Sequence, residues 1–442
     1  MPREYRRYEP DQTLLLPPSL RDWLPEDHLA FFLSDSIDAM DLSGFEARYG
    51  DEGPGNRAFD PRMMLKVLVY AYATGTFSSR KIATKLHEDV ALRVLGADNF
   101  PAHRTISDFR QRHLPEFGDV FVQVVQLARE VGLVKLGTVA VDGSKVKANA
   151  SKHKAMSYGR MKEEEKRLRQ EIRDLLARAK KTDEQEDKRY GKDQRGDELP
   201  AELARREDRL RTIQAARQRL EARQREADEA QGREPGDQDR PGQSGRPFKR
   251  AFGEPEARAQ ENFTDPDSRI MKRGSSGFEQ CYNAQIAVDE TQQLIVATHI
   301  TQSASDVAQL EPLMDAIEKN TGEVPQKVLA DAGYRSESNL QDLEERGIEG
   351  FVAFGREKSG TPKAPDPTHE ASCRMARRMK TQRGQANYRK RKYLAEPPFA
   401  WIKRVMGFGQ FSLRGVGNVE SEWDLACLAA NLKRMHGMMV WE

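Results

Sequence analysis

Three acidic residues, Asp142, Asp331 and Glu396, stand far apart in the chain but in surroundings that suit one metal site. Asp142 closes the apolar run Val139-Ala-Val141 and Asp331 closes Val328-Leu-Ala330, each with a glycine close behind, the pattern of a buried strand that ends at a turn. Carboxylates held together by rigid backbone are costly unless something positive neutralises them, and a hard divalent cation with oxygen ligands does so. Taken singly, a strand-Asp-Gly is more often just an Asp capping a turn.

Positive side chains accompany these acids. Lys145, Lys147 and Lys152 follow Asp142, where they suit phosphate binding or plain solvation. Residues 356 to 392 hold twelve Lys or Arg against three Asp or Glu and end in Tyr388-Arg-Lys-Arg-Lys392, a density that attracts a polyanion. Glu396 and Lys403 lie seven apart and so share a helix face, with Phe399, Ile402 and Met406 on the buried side. Pro397 and Pro398 put Glu396 at a helix start or a kink. Nearer the N-terminus, His103 to His113 sets Arg104, Arg110, Gln111 and Arg112 around an Ile106 and Phe109 anchor. Coming after other helices, this reads as a helix-turn-helix-like DNA reader; a solvated helix face is the plain alternative.

The elements that must position these residues are legible in outline. Apolar residues at helical spacing mark helices from His28 to Met40, from Pro61 (with Asp60 as N-cap) to near Gly75, from Ser78 to Leu86, and over 117–132. Strands are expected at 139–141, 280–289, 294–300, before Asp331, and at 350–354, with Glu290 to Gln293 turning a hairpin. Ser305 and Asp306 read as the cap of a helix carrying Leu310, Leu313, Met314 and Ile317, and for Asp306, an acid near the site in sequence logic, capping ranks ahead of a part in catalysis. Residues 161–230 are Glu/Lys/Arg/Gln-rich with sparse apolar positions such as Leu168, Ile172, Leu210 and Leu220, which suits two long antiparallel helices broken at Gly191 to Pro200. Gln231 to Pro247 reads as a flexible linker. The expected division is a helical DNA-binding domain over 1–132, an α/β domain in two pieces, 133–154 and 263–442, and a helical hairpin with linker inserted over 155–262.

Composition limits the function classes. The chain has 442 residues, 32% charged, with a net charge of +2. Its mean hydropathy is −0.79. Cys281, Cys373 and Cys427 are scattered, so neither a disulfide framework nor a zinc finger is supported. Neither a signal peptide nor a run of eighteen apolar residues is present, so a soluble cytoplasmic protein without a membrane partner is expected.

In this order, the motifs resemble those of DDE transposases encoded by bacterial insertion sequences. Val141-Asp-Gly-Ser144 resembles their first acidic motif and Ala330-Asp-Ala-Gly-Tyr334 their second, while Tyr388, Arg391, Glu396 and Lys403 match the Tyr-Arg-Glu-Lys signature of the third. Arg391 lies one residue farther from Glu396 than in the family, and Lys392 stands at the family's distance. Leu65 to Gly75, Ser78 to Lys81 and Asn431 to Arg434 resemble the family's N-terminal domain and last helix. The resemblance implies a ribonuclease H-like mixed five-stranded sheet flanked by helices. It further implies a homodimer on double-stranded DNA, the paired terminal inverted repeats and the target, in a nucleoid-associated protein.

On this reading Asp142, Asp331 and Glu396 hold two Mg²⁺ ions, with Mn²⁺ as a substitute, and the reaction is in-line displacement at phosphorus by water or a 3′ hydroxyl. Arg104, Arg110, Arg112, Lys145, Tyr388, Arg391, Lys392 and Lys403 are the expected DNA contacts. Two rivals share parts of this pattern: a ribonuclease H-like nuclease that only hydrolyses, and a transposase-derived DNA-binding protein without catalysis.

Overall fold

The computed structural model describes residues 19–49, 58–190, 201–237, 248–274, 277–355 and 365–439. The N-terminal tail, the Gly191 to Pro200 break and most of the Gln231 to Pro247 linker lie outside the described residues.

Seven helices come first: α1 (Leu29–Asp38), α2 (Ser43–Glu46), α3 (Pro61–Ala73), α4 (Ser79–Glu88), α5 (Val90–Leu95), α6 (His103–Arg112) and α7 (Leu114–Glu130). Asp60 caps α3 as expected, its carboxylate accepting from the N–H groups of Arg62 and Met63, with Pro61 in the first turn. Then follow β1 (Thr138–Lys147), β2 (Ala155–Ser157), α8 (Tyr158–Tyr190), α9 (Ala201–Ala230), β3 (Gln260–Asn262), β4 (Arg269–Lys272), β5 (Phe278–Asp289) and β6 (Ile295–Thr301). The chain closes with α10 (Leu310–Thr321), β7 (Lys327–Ala330), α11 (Glu337–Glu345), β8 (Glu349–Val352), α12 (Glu370–Lys380), α13 (Gln382–Ala400), a π-helical turn (Trp401–Val405) and α14 (Val416–Met439).

The main sheet is mixed, as a ribonuclease H-like fold requires. Its order is β6-β5-β1-β7-β8, with β5 antiparallel to β1 and β6, and β7 parallel to β1 and β8. A short sixth strand, β4, pairs with the start of β5. Helix α13 covers one face, where Leu394 and Ala395 pack on Ala140, Leu329 and Phe351. The other core is continuous from the sheet into the N-terminal helices: Val139, Val141 and Val328 belong to the same cluster as Leu68, Tyr72, Phe121 and the α14 residues Trp423 and Leu428. Burial of that size removes most of the apolar surface of α3 and α7 from water, the main stabilising term of the fold.

Two further joins hold the N-terminal helices to the sheet domain. The Tyr72 hydroxyl donates to Glu422 at 3.1 Å in the interior. Gly75, at φ +80°, lets its backbone pass so near the Met406 carbonyl that a Cβ there would stand 2.6 Å from the oxygen. By contrast, α8 and α9 carry their own small core, Met156, Tyr158, Met161, Leu168, Ile213, Ala216 and Leu220. Its base is closed by the β2–β3 pair and by Glu261, which is fully buried and ion-paired to Arg219 and Arg223.

Helix α13 continues through Pro397 and Pro398, so Glu396 sits inside a helix and not at its start. Pro397 has no N–H for the Tyr393 carbonyl four residues back, and the Gln293 side chain supplies a donor to that oxygen at 3.1 Å. The helix then widens: the Met406 N–H bonds the Trp401 carbonyl, five residues back, at 2.9 Å.

Candidate active site

Strand alternation brings the first two acids together. Ala140 lies opposite Leu329 in the parallel β1–β7 pair, so Asp142, within β1, and Asp331, just past the end of β7, stand two residues on at the same level of neighbouring strands. Ala140 and Leu329 both face α13, and a period of two directs Asp142 and Ser144 to that face as well. Asp142 accepts from the Gly143 N–H at 2.9 Å, and Asp331, in extended backbone just past β7, accepts from the Gly333 N–H at 2.7 Å.

The surrounding charges are unequal. Burial pushes the Asp142 carboxyl up to about 6; Arg391 opposes that shift, while Asp331 and Asp306 add to it. Arg391 Nη1 stands 3.7 Å from Asp142 Oδ1 and has no hydrogen-bond acceptor of its own. The side chain of Tyr388, one turn earlier on α13, bonds Arg391. Lys403, carried on the π-helical turn, hydrogen-bonds the Ser144 hydroxyl and reaches the Lys145 carbonyl at 3.2 Å. Burial and the neighbouring Arg273 lower the Lys403 ammonium to about 8.

A residue that the sequence assigned to helix capping also comes to this site. Asp306 makes no cap hydrogen bond with its side chain. Instead its Oδ1 accepts from Asn283 at 2.6 Å, Gln285 at 2.8 Å and Lys145 at 3.4 Å. It stands behind Gly143, where a Cβ would lie 2.8 Å from that oxygen, and its Oδ2 faces Gly333 beside Asp331. Gln285 in turn accepts from the buried Tyr334 hydroxyl. The signal in the sequence is Asn283 and Gln285, two polar side chains on alternate positions within the apolar run from Tyr282 to Val288, and both are buried.

The other expected contacts divide. Arg391 is the cation against Asp142, whereas Lys392 is exposed. Lys145 is drawn to Asp306 and lies on the opposite face of β1 from Asp142. Glu396 is exposed on α13, its carboxylate making no ion pair or hydrogen bond among the described residues. Arg104 and Arg112 are exposed, the latter over the Tyr49 ring at 5.4 Å. Arg110 corrects the sequence reading. It is 6% exposed and its guanidinium binds the Tyr72 hydroxyl, the Phe77 carbonyl and the Ser79 hydroxyl, so it braces the helices and is not open to DNA. Among the described residues of the basic segment, 365–392, several cations are likewise engaged within the protein: Arg374 pairs with Glu344, Arg383 with Glu349 and Lys390 with Glu290, and Arg378 donates to the Gly350 carbonyl.

The family model for the transposase DDE domain matches residues 255–432. A second, the transposase domain DUF772, matches residues 18–112. The chain belongs to the DDE transposases of insertion-sequence type. No curated protein and no solved structure matches it. The transposase DDE domain is one of metal-dependent enzymes that cut nucleic acid, and transposases act on DNA. No helix among the described residues of this transposase is long and apolar enough to cross a membrane.

The residues fit a divalent cation in part. Asp142 and Asp331 offer hard oxygen donors at one level, and the raised Asp142 carboxyl marks a negative charge that a cation would stabilise. Among the described residues, no group of three or more His, Cys, Asp or Glu is close enough to hold a metal ion, so Glu396, expected as the third carboxylate, is not gathered with Asp142 and Asp331.

Proposed function

We propose that this transposase cuts at the terminal inverted repeats of an insertion sequence and joins the freed 3′ ends to target DNA. The observation that carries the reading is the pair Asp142 and Asp331, level on adjacent strands, with Arg391 over one of them and Lys403 on the neighbouring Ser144. A phosphodiester brought there would meet two carboxylates for cations and two cationic side chains for its own charge, without a side-chain nucleophile.

In this reading Asp142 and Asp331 would hold two Mg²⁺ ions, with Mn²⁺ as a substitute, and Glu396, which stands apart from them, would complete the set once metal and DNA are bound. Such ions, when bound, supply an activated attacking oxygen and neutralise the leaving one. Arg391 orients against Asp142 and neutralises phosphate charge; Lys403 holds the phosphate on the Ser144 side; Tyr388 steadies Arg391. The helices up to 132 read DNA, the two pieces 133–154 and 263–442 carry the chemistry, and 155–262 is an inserted arm. The working form is a homodimer on paired ends, at the nucleoid.

The test uses purified protein, a labelled duplex carrying the inverted repeats that flank its own gene, a second target duplex, and Mg²⁺. Cleavage at the repeat boundary with joining to the target is expected from the wild type and not from Glu396→Gln. Hydrolysis without joining would replace the proposal with a nuclease, and binding without Mg²⁺-dependent chemistry with a DNA-binding protein.

A further inference from the structure

Two clefts meet where the N-terminal helices touch the sheet domain. One, of about 730 Å³, lies between the start of α4, the start of α6 and residues 410–412. The second, of about 550 Å³, lies between the end of β1, the turn at 151–154 and Arg414. Both are lined by Asn149 and Gln410, so they adjoin.

These clefts are rigidly built and basic. Residues 409–414 are stitched along the end of β1: the Phe411 N–H bonds the Lys147 carbonyl at 2.9 Å, Gln410 donates to the Ala148 carbonyl at 3.0 Å, and Asn149 donates to the Ser412 carbonyl at 2.6 Å. Arg80, Lys81 and Arg104 stand exposed on the first cleft, and Lys152, Lys154 and Arg414 on the second. None of these six side chains forms an ion pair among the described residues, in contrast to the paired cations of α12 and α13. Of the acids on the walls, Glu279 is taken by Lys147 at 3.3 Å, which leaves Asp108. Six unneutralised cations in a row along a fixed groove match the phosphate backbone of a duplex.

We infer that the terminal duplex lies along this one track, its phosphates held jointly by α4, α6 and the 152–154 and 410–414 segments, and that it leads to the acidic pair. The inference rests on the transposase reading above. From Lys147 at the wall of the track to Asp142 is five residues of strand, about 17 Å along β1 and roughly half a turn of B-form duplex, with the two side chains on opposite faces of the strand, so the duplex reaches the acidic pair past the strand and not along one face of it. Because the N-terminal helices share one core with the sheet, the distance from the bases contacted by α6 to the cut is set by the protein and not by a flexible tether.

The experiment measures affinity for the inverted-repeat duplex and for a random duplex at several salt concentrations. It compares the wild type, an R80Q/K81Q/R104Q triple, a K152Q/K154Q/R414Q triple, and a K135Q/K319Q control whose lysines lie exposed at the opposite end of the sheet. Each triple is expected to weaken binding to both duplexes about tenfold or more, and to reduce the slope of log K against log salt by about 2 to 3, with the control near wild type. Far-ultraviolet circular dichroism checks that the variants are folded. Folded triples that bind with the wild-type salt slope overturn the track, and so does loss confined to one triple. Loss in both triples from a wild type that performs no Mg²⁺-dependent cleavage keeps the track and removes the proposed chemistry. A wild type without affinity for either duplex removes both.

Discussion

Asp142 and Asp331, 189 positions apart, stand at the same level on adjacent parallel strands because Ala140 is paired with Leu329 two residues earlier. A shift of that register by one residue would send one carboxylate to the other face of the sheet. Asp142→Asn and Asp331→Asn should each reduce Mg²⁺-dependent cleavage to background while leaving duplex affinity within about threefold, the spread expected for charges remote from the phosphate track. Gel-based cleavage and binding assays on the same protein check this; normal cutting by the Asp331 variant would sink the assignment.

Arg391 and Lys392 should separate by function. Arg391 has a buried Nη1 facing Asp142, so Arg391→Gln should slow cleavage by about 10²-fold or more, the usual loss for one charge aimed at a reacting centre. Lys392→Gln, changing an exposed side chain, should alter only affinity and its salt dependence. Equal effects of the two on the single-turnover rate would contradict the geometry.

Asp306 is expected to act by positioning. It fixes Asn283, Gln285 and Lys145 behind the two aspartates, and Asp306→Asn should cut the single-turnover cleavage rate about 10- to 100-fold, as loss of an outer carboxylate does at metal sites. A purely structural role would instead lower the melting temperature and leave the Mg²⁺ dependence of the rate where it was.

Gly75→Ala should destabilise the junction between the N-terminal helices and residues 406–411. The substitution adds a Cβ 2.6 Å from a backbone oxygen at a positive φ, a cost of about 2 kcal/mol or more. Denaturant unfolding measures it, and an unchanged midpoint would show that the contact can relax.

Burial pushes the Asp424 carboxyl up to about 7, with its Oδ1 held by the Thr298 hydroxyl at 2.5 Å. The folded state therefore holds this proton more tightly than the unfolded chain. The resulting stability is complete below about pH 4 and is lost as pH rises to about 7. Asp424→Asn should flatten that part of the stability profile; melting curves from pH 4 to 8 that keep the wild-type slope would refute it.

Much of this arrangement was legible in the chain. The runs before Asp142 and Asp331 are apolar and short, so both strands could be read locally, and β7 does end at Asp331; the Asp142 strand reads too short, because β1 continues through Gly143 to Lys147, where pairing with β5 holds it extended. Arg110 could not. On a short helix it looks like its exposed neighbours, and only Tyr72 and Phe77, more than thirty residues back, turn it inward. Asp306 was hidden for a similar reason: Ser305 and Asp306 before a helix have the pattern of a cap, while its real partners sit on β5 and β1. Nor does a local pattern announce that Pro397 stays within a helix, since the compensating donor, Gln293, comes from a hairpin turn.

The separate core of α8 and α9 has a consequence for how the molecule comes apart. Its buried residues are distinct from those of the sheet, and its base rests on Glu261 clasped by two arginines. Disorder that starts at the far end of these helices has no apolar path into the sheet, so backbone amides in the arm should exchange with solvent through local opening while those of β1 and β5 wait for global unfolding.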